Sequence, residues 1–226
     1  YVTRWWGTPH AHYHVENILE FNIENLLWVL LAGVIFGFGG KIFAEATHFF
    51  SRQFSKLTSY APLKPFYGGI VVALLALALG TSRYLGLGLP VIAEAFDHQV
   101  SPYDFALKIL FTSITLGAGY KGGEVTPLFF VGATLGSALS LILPIPTDVL
   151  AAIGFVAVFA AAANTPISCV FMAVELFGSG NLAFYALGCI VAFMFSGHSG
   201  IYKSQILATL KSPRHKSDQN KKIGDL

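Results

Sequence analysis

Four glycines (117, 119, 122 and 123), one lysine and one glutamate lead into Val125-Thr126-Pro127, after which the chain stays apolar through Gly136. Proline is well suited to the first turn of a helix, where its missing N–H costs nothing. Gly122 and Gly123 are expected to turn the backbone tightly just before it. The helix then begins abruptly, with the N–H groups of Glu124, Val125 and Thr126 unpaired. Such an end carries partial positive charge and suits an anion. Thr126 adds a hydroxyl, and Lys121 is the nearest cation, so dipoles rather than full charges would hold the ligand. A second break, Gly197-His-Ser-Gly200, is expected to start a last helix at Ile201 with Tyr202 in its first turn. A phenol donates to an anion without adding charge, which keeps binding weak enough for release. The candidate anion-binding set is therefore Gly123, Glu124, Val125, Thr126 and Tyr202. Two of these have a second reading: Glu124 as a carboxylate that complements the helix dipole, and Tyr202 as an interfacial aromatic.

Other residue patterns suggest weaker chemistry. His10, His12 and His14 alternate, but no cysteine or aspartate lies near them and the period fits no standard zinc spacing. They read as a solvated loop, and neither a metal nor a cofactor is expected. Lys41, Glu45 and His48 share a helix face, either as a proton relay or as a helix end emerging into water beside Arg52 and Lys56; the second reading is preferred. Glu175, near the end of the segment 166–177, reads as an interfacial or hydrogen-bonded structural group. Ser179 between two glycines, with His198, raises an intramembrane hydrolase as a rival, although the glycines equally suit a helix cap. Cys169 and Cys189 lie in apolar runs and read as buried thiols.

The elements that must position these residues are membrane helices. Of 226 residues, 54% are hydrophobic and 12% charged, about half the charge of a soluble domain. The mean hydropathy is +0.64. The chain reads as an all-α, polytopic membrane protein in the lipid bilayer; a net charge of +2 gives no case for nucleic acid. A long helix is expected over 23–52. It should be strongly tilted, since thirty residues span about 45 Å against a hydrocarbon layer of roughly 30 Å. Shorter apolar segments follow at 66–80, to about Asp97, from Asp104 to Leu116, to about Ile142, and at 149–163, 166–177 and 181–196. Ser101 or Asp104, and Thr147 or Asp148, are available as caps. Many short segments broken by glycine and proline indicate a transporter with discontinuous helices. Basic residues at 52–64 and in the tail 211–226 place those parts on the cytoplasmic side, and the acidic 16–24 region outside.

In order, these features resemble the CLC family of chloride channels and proton-coupled anion exchangers. Gly123-Glu-Val-Thr-Pro127 stands where that family has G-x-F-x-P, with Val125 in place of the usual phenylalanine, and Gly-Gly-Glu-Val-Thr-Pro is similar to the bacterial fluoride/proton antiporter branch. The long helix, the Gly-rich turn at 86–90, the small-residue helix before Asn164-Thr-Pro166, and Tyr202 complete the match. The resemblance implies a membrane domain over 23–210, the second of two inverted repeats, between an extracytoplasmic loop (1–22) and a basic cytoplasmic tail. It implies that the amides of Val125 and Thr126 and the Tyr202 phenol line the anion site. It further implies fluoride as the halide, exchanged for protons across the inner membrane, with chloride transport as the alternative. Two partners are expected: the missing N-terminal half, which would carry the gating glutamate, and a twin subunit joined through helices around 166–196.

Overall fold

A computed structural model of the protein describes residues 5–7, 13–198, 200–202, 204–206 and 221–223. It contains, among these residues, eight helices: α1 (Ile23–Leu57), α2 (Leu63–Leu79), α3 (Leu89–Asp97), α4 (Asp104–Gly117), α5 (Val125–Leu139), α6 (Thr147–Ala163), α7 (Pro166–Phe177) and α8 (Leu182–Phe195). The extended pairing among the described residues is an isolated antiparallel bridge between Ile206 and Lys222. His10, His12 and most of the basic tail lie outside the described residues.

α6 is the hub. It is apolar on every side, and a helix of that kind is stable only when surrounded; nearly all of its residues are buried, against α1, α3, α5, α7 and α8. Its closest partner is α5. A Cβ on Gly132 would run into the backbone of Gly154, and one on Gly136 into the backbone of Leu150. Glycine at these positions lets the two backbones touch, the small-residue packing expected where both helices are apolar. Phe129 of α5 stacks on Phe155 of α6 with ring centroids 4.0 Å apart, which fixes the rotation of one helix on the other.

α1 has 35 residues, about 52 Å of helix, and is, among the described residues, the one helix long and apolar enough to cross a membrane by itself. It runs five residues past the expected end and takes in Arg52 and Lys56. Five other apolar helices have 10–17 residues, too short for an untilted span. The expected side-chain caps of α4 and α6 are absent: their N-cap residues are Tyr103 and Pro146, and neither makes a side-chain cap bond. Asp104 and Asp148 are instead committed to other partners.

Asp148 holds the segment before α1. Its Oδ2 accepts from the Glu16 and Asn17 amides at 2.9 and 3.0 Å, and its Oδ1 from the Asn17 side chain at 3.0 Å. Asn181, at the start of α8, accepts from the Leu19 amide and donates to the Asn17 carbonyl, both at 2.9 Å. Tyr13 stacks on Phe96 with centroids 5.0 Å apart, and burial pushes its phenol above the ordinary value. Residues 13–20 thus form a strap across the starts of α6 and α8. Asp148→Ala removes three bonds to a carboxylate, and bonds to charged groups contribute about 1.5–3 kcal/mol each. Amide exchange at Glu16, Asn17 and Leu19 is expected to accelerate at least about tenfold, read by hydrogen–deuterium exchange. Unchanged protection would show that Asn181 and Tyr13 hold the strap without Asp148.

Candidate functional site

The start of α5 forms where the sequence places it. Val125 is the first helical residue and Glu124 the N-cap, with no side-chain capping bond. The first backbone bond of the helix is Leu128 N–H to the Glu124 carbonyl at 3.2 Å. Pro127 has no N–H, so the amides of Val125 and Thr126 precede the helical ladder and are not used by it. Both residues are half-buried, and the helix behind them is buried from Pro127 onward except at Phe129 and Ala138. Gly122 and Gly123 do not make the turn. Gly119 makes it, at φ +95°, where an L side chain would be strained.

The second break departs from expectation. Residues 200–202 and 204–206 are not helical. Tyr202 opens a turn instead, its carbonyl accepting from Gln205 N–H at 3.0 Å, and Ile223 N–H donates to the Gln205 carbonyl at 3.0 Å. Pairing with residues 222 and 223 takes up backbone groups that a helix would use, so among the described residues Tyr202 has no helix dipole behind it. The segment is nevertheless fixed. Ile201 N–H donates to the Ala162 carbonyl at 3.0 Å, and Asn164 donates to the Gln205 side chain at 3.2 Å. Asn164 itself caps α6 in the left-handed region at φ 58°.

These two regions meet at a cavity of about 230 Å³. It is lined by Thr47, His48 and Ser51 of α1, by Leu116, by Gly119–Gly122 and Glu124, and by Ile201. Of the expected site residues, Glu124 lines it, Gly123, Val125 and Tyr202 are chain neighbours of lining residues, and Thr126 lies one residue further along α5. Gly123 and Tyr202 are exposed. The α1 residues were not legible as site components. His48 shared a face with Lys41 and Glu45 by spacing, but the structure separates them: Lys41 and Glu45 pair at 3.7 Å with largely exposed side chains, whereas His48 turns to the Gly200 carbonyl at 3.0 Å.

A polar cluster inside the protein was also missed. Asp104, fully buried, accepts from Tyr84 at 2.7 Å and from Arg83 at 3.1 and 3.3 Å. Arg83 also reaches Glu94 at 2.8 Å. Lys108, one turn along α4 and 1% exposed, donates to the Tyr84 and Gly86 carbonyls at 3.1 and 2.7 Å and lies 4.9 Å from the Phe130 ring centroid. The signal was available: a lysine in an apolar helix demands a partner.

The rival and minor readings are placed as follows. Ser179 precedes α8 and His198 follows it, so 14 helical residues, about 21 Å, separate them, and they form no nucleophile–base pair. Glu175 is exposed. Cys169 and Cys189 are free and buried. His14 borders a second cavity with Glu16, Asp97 and Asp148, and among the described residues no group of three His, Cys, Asp or Glu is placed to hold a metal.

The chain can be compared with known proteins on this basis. Residues 1–197 match the family model described as "Voltage gated chloride channel". A "Chloride/fluoride channel protein" of Pseudomonas syringae pv. tomato is 44% identical over 215 residues, 92% of this chain and 48% of the relative. The "H(+)/Cl(-) exchange transporter ClcA" of Yersinia pestis bv. Antiqua is 28% identical over 230 residues, 92% and 47% of the two chains. A solved structure described as a CLC-type fluoride/proton antiporter superposes with a TM-score of 0.84 at 32% identity, covering 88% of this chain and 51% of that one. The chain therefore spans about half the length of the relatives it matches. The family match, the 44% identical relative and the shared all-helical fold together show that this chain is a membrane protein belonging to the voltage-gated chloride channel (CLC) family.

Proposed function

We propose that this chain is one half of a membrane anion transporter, and that the complete protein exports fluoride in exchange for protons. The observation that carries this reading is the start of α5, where the Val125 and Thr126 amides stand outside the helical ladder at the positive end of the helix dipole. With Gly123 allowing close approach, Glu124 on the adjoining cavity, the Thr126 hydroxyl and the Tyr202 phenol, they make up the anion-binding set. Fluoride is small and strongly hydrated, so compact donors are needed to replace its water. The names of the Pseudomonas relative and of the solved antiporter support fluoride, and that of the Yersinia exchanger supports chloride as the second reading.

The remaining parts fit this scheme. Residues 23–210 are the membrane domain, residues 1–22 an extracytoplasmic loop, and 211–226 a cytoplasmic tail on the same side as Arg52 and Lys56, in the inner membrane. Among the described helices α2 packs on α1 and α4 alone, and it exposes Leu74 and Leu77, surface for the other half or for lipid. Ile167, Phe171, Ile190 and Met194 on α7 and α8 are exposed and supply the apolar face of a homodimer.

Liposomes containing the complete transporter test the activity. Fluoride efflux should drive proton uptake; chloride moving faster, or no proton coupling, would overturn the exchanger assignment. Tyr202→Phe tests the site. It removes one donor to a charged ligand, worth roughly 10- to 100-fold in affinity, and calorimetric titration with fluoride should show that weakening while chain folding is unchanged.

A further inference from the structure

We propose that His48 is a positioning residue for Tyr202: its imidazole N–H holds the Gly200 carbonyl and so sets where the phenol two residues later presents itself. The inference rests on the reading of Tyr202 as an anion ligand. His48 and Gly200 lie 3.0 Å apart although 152 residues separate them in sequence. A carbonyl only accepts, so Nε2 is the donor in this contact.

Four further observations make the contact a fixture rather than a chance approach. The His48 stretch of α1 cannot shift freely, because a Cβ on Gly117 of α4 would overlap the backbone of Phe50 and Ser51, and Thr47 Oγ1 lies 3.3 Å from Ser113 Oγ on the same helix. On the other side, Gly200 is closely surrounded: a Cβ there would lie 2.8 Å from Asn164 Nδ2 and 3.3 Å from the Ala162 carbonyl. The next residue donates its amide to that same Ala162 carbonyl at 3.0 Å. Gly200-Ile201 is thus clamped between α1 and the end of α6. Of the two clamps, the α1 one is a side chain, and it borders the cavity that Glu124 and Ile201 share. Tyr202 is not held in place by a helix, since its segment forms a turn; its position depends on these anchors.

The test is a double-mutant cycle on the complete transporter, with fluoride affinity read by calorimetry. His48→Leu keeps the apolar bulk and removes the donor; it is expected to weaken fluoride binding about fivefold. His48→Gln supplies an amide donor and should restore affinity to within about twofold. If His48 acts through the phenol, His48→Leu combined with Tyr202→Phe will bind no more weakly than Tyr202→Phe alone. A purely structural histidine would instead lower thermal stability and add its effect in full to that of Tyr202→Phe. Full additivity, failure of glutamine to rescue, or an unchanged affinity in His48→Leu overturns the proposal while leaving the anion site intact. An unchanged affinity in Tyr202→Phe overturns the site reading itself, and this proposal with it. Should His48→Leu aggregate, His48→Ala is read by the same criteria.

Discussion

Replacing Asp104 with alanine is expected to cost about 3–5 kcal/mol, the range for removing one partner of a buried ion pair, and to leave little monodisperse protein after detergent extraction. The carboxylate is fully buried and joins three pieces of chain: α4, which carries it, the loop before α3 through Tyr84 and Arg83, and α3 through the Arg83 contact with Glu94. Without it the Tyr84 hydroxyl loses its acceptor at 2.7 Å, and a desolvated donor left unmade costs more than the bond contributed. Asp104→Asn should be milder, because an amide oxygen can still accept from Tyr84. Lys108→Met provides the contrast: it takes away a buried charge whose hydrogen bonds among the described residues go to the Tyr84 and Gly86 carbonyls rather than to a carboxylate, and apolar replacement of buried charge is often close to neutral. Thermal unfolding followed by size-exclusion chromatography ranks the three, and a stability loss for Lys108→Met equal to that of Asp104→Ala would refute this division of roles.

Gly132→Val is expected to be at least as damaging. The new side chain would have to occupy the space of the Gly154 backbone, and neither helix can give: α6 is enclosed on all sides, and Phe129 is locked on Phe155 and Phe159. Overpacking a core costs about 1–3 kcal/mol where side chains can adjust; here the obstacle is main chain, so the upper end or beyond applies. Gly123→Ala is the control. Nothing lies within 4 Å of a Cβ there, and its φ is not in the left-handed region, so stability should change by less than about 0.5 kcal/mol. Melting temperatures of the two variants, measured in the same detergent, give the comparison.

The elements were legible because punctuation in this chain is strong. Pro127, Pro166, Gly80 and Gly178 mark helix ends that the structure reproduces, and the apolar run over 149–163 declared a helix surrounded by others. What failed was local and polar. Asp104 and Asp148 stand where caps belong, yet each is drawn away by groups distant in sequence, Tyr84 and Arg83 in one case and Glu16 and Asn17 in the other. Spacing along one helix cannot reveal such partners. The turn assigned to Gly122 and Gly123 sits at Gly119, since several adjacent glycines offer the same freedom and only tertiary context selects one. The helix expected at Tyr202 is not there among the described residues, because pairing of 205 and 206 with residues 222 and 223 could not be anticipated from a local pattern. His48 was the largest omission from the site: its spacing grouped it with Lys41 and Glu45, and a helix face does not say which carbonyl waits opposite it.

The glycine seam between α5 and α6 has a mechanical consequence. Where side chains intervene, helices slide by small shear as those chains change rotamer; where backbone rests on backbone, no such bearing exists. Val125 lies seven residues, roughly 10 Å of helix, from the weld at Gly132. The amides at that end therefore stand on a rigid support, a fixed post rather than a hinge, and any rearrangement near them falls to the side chains and loops that surround it.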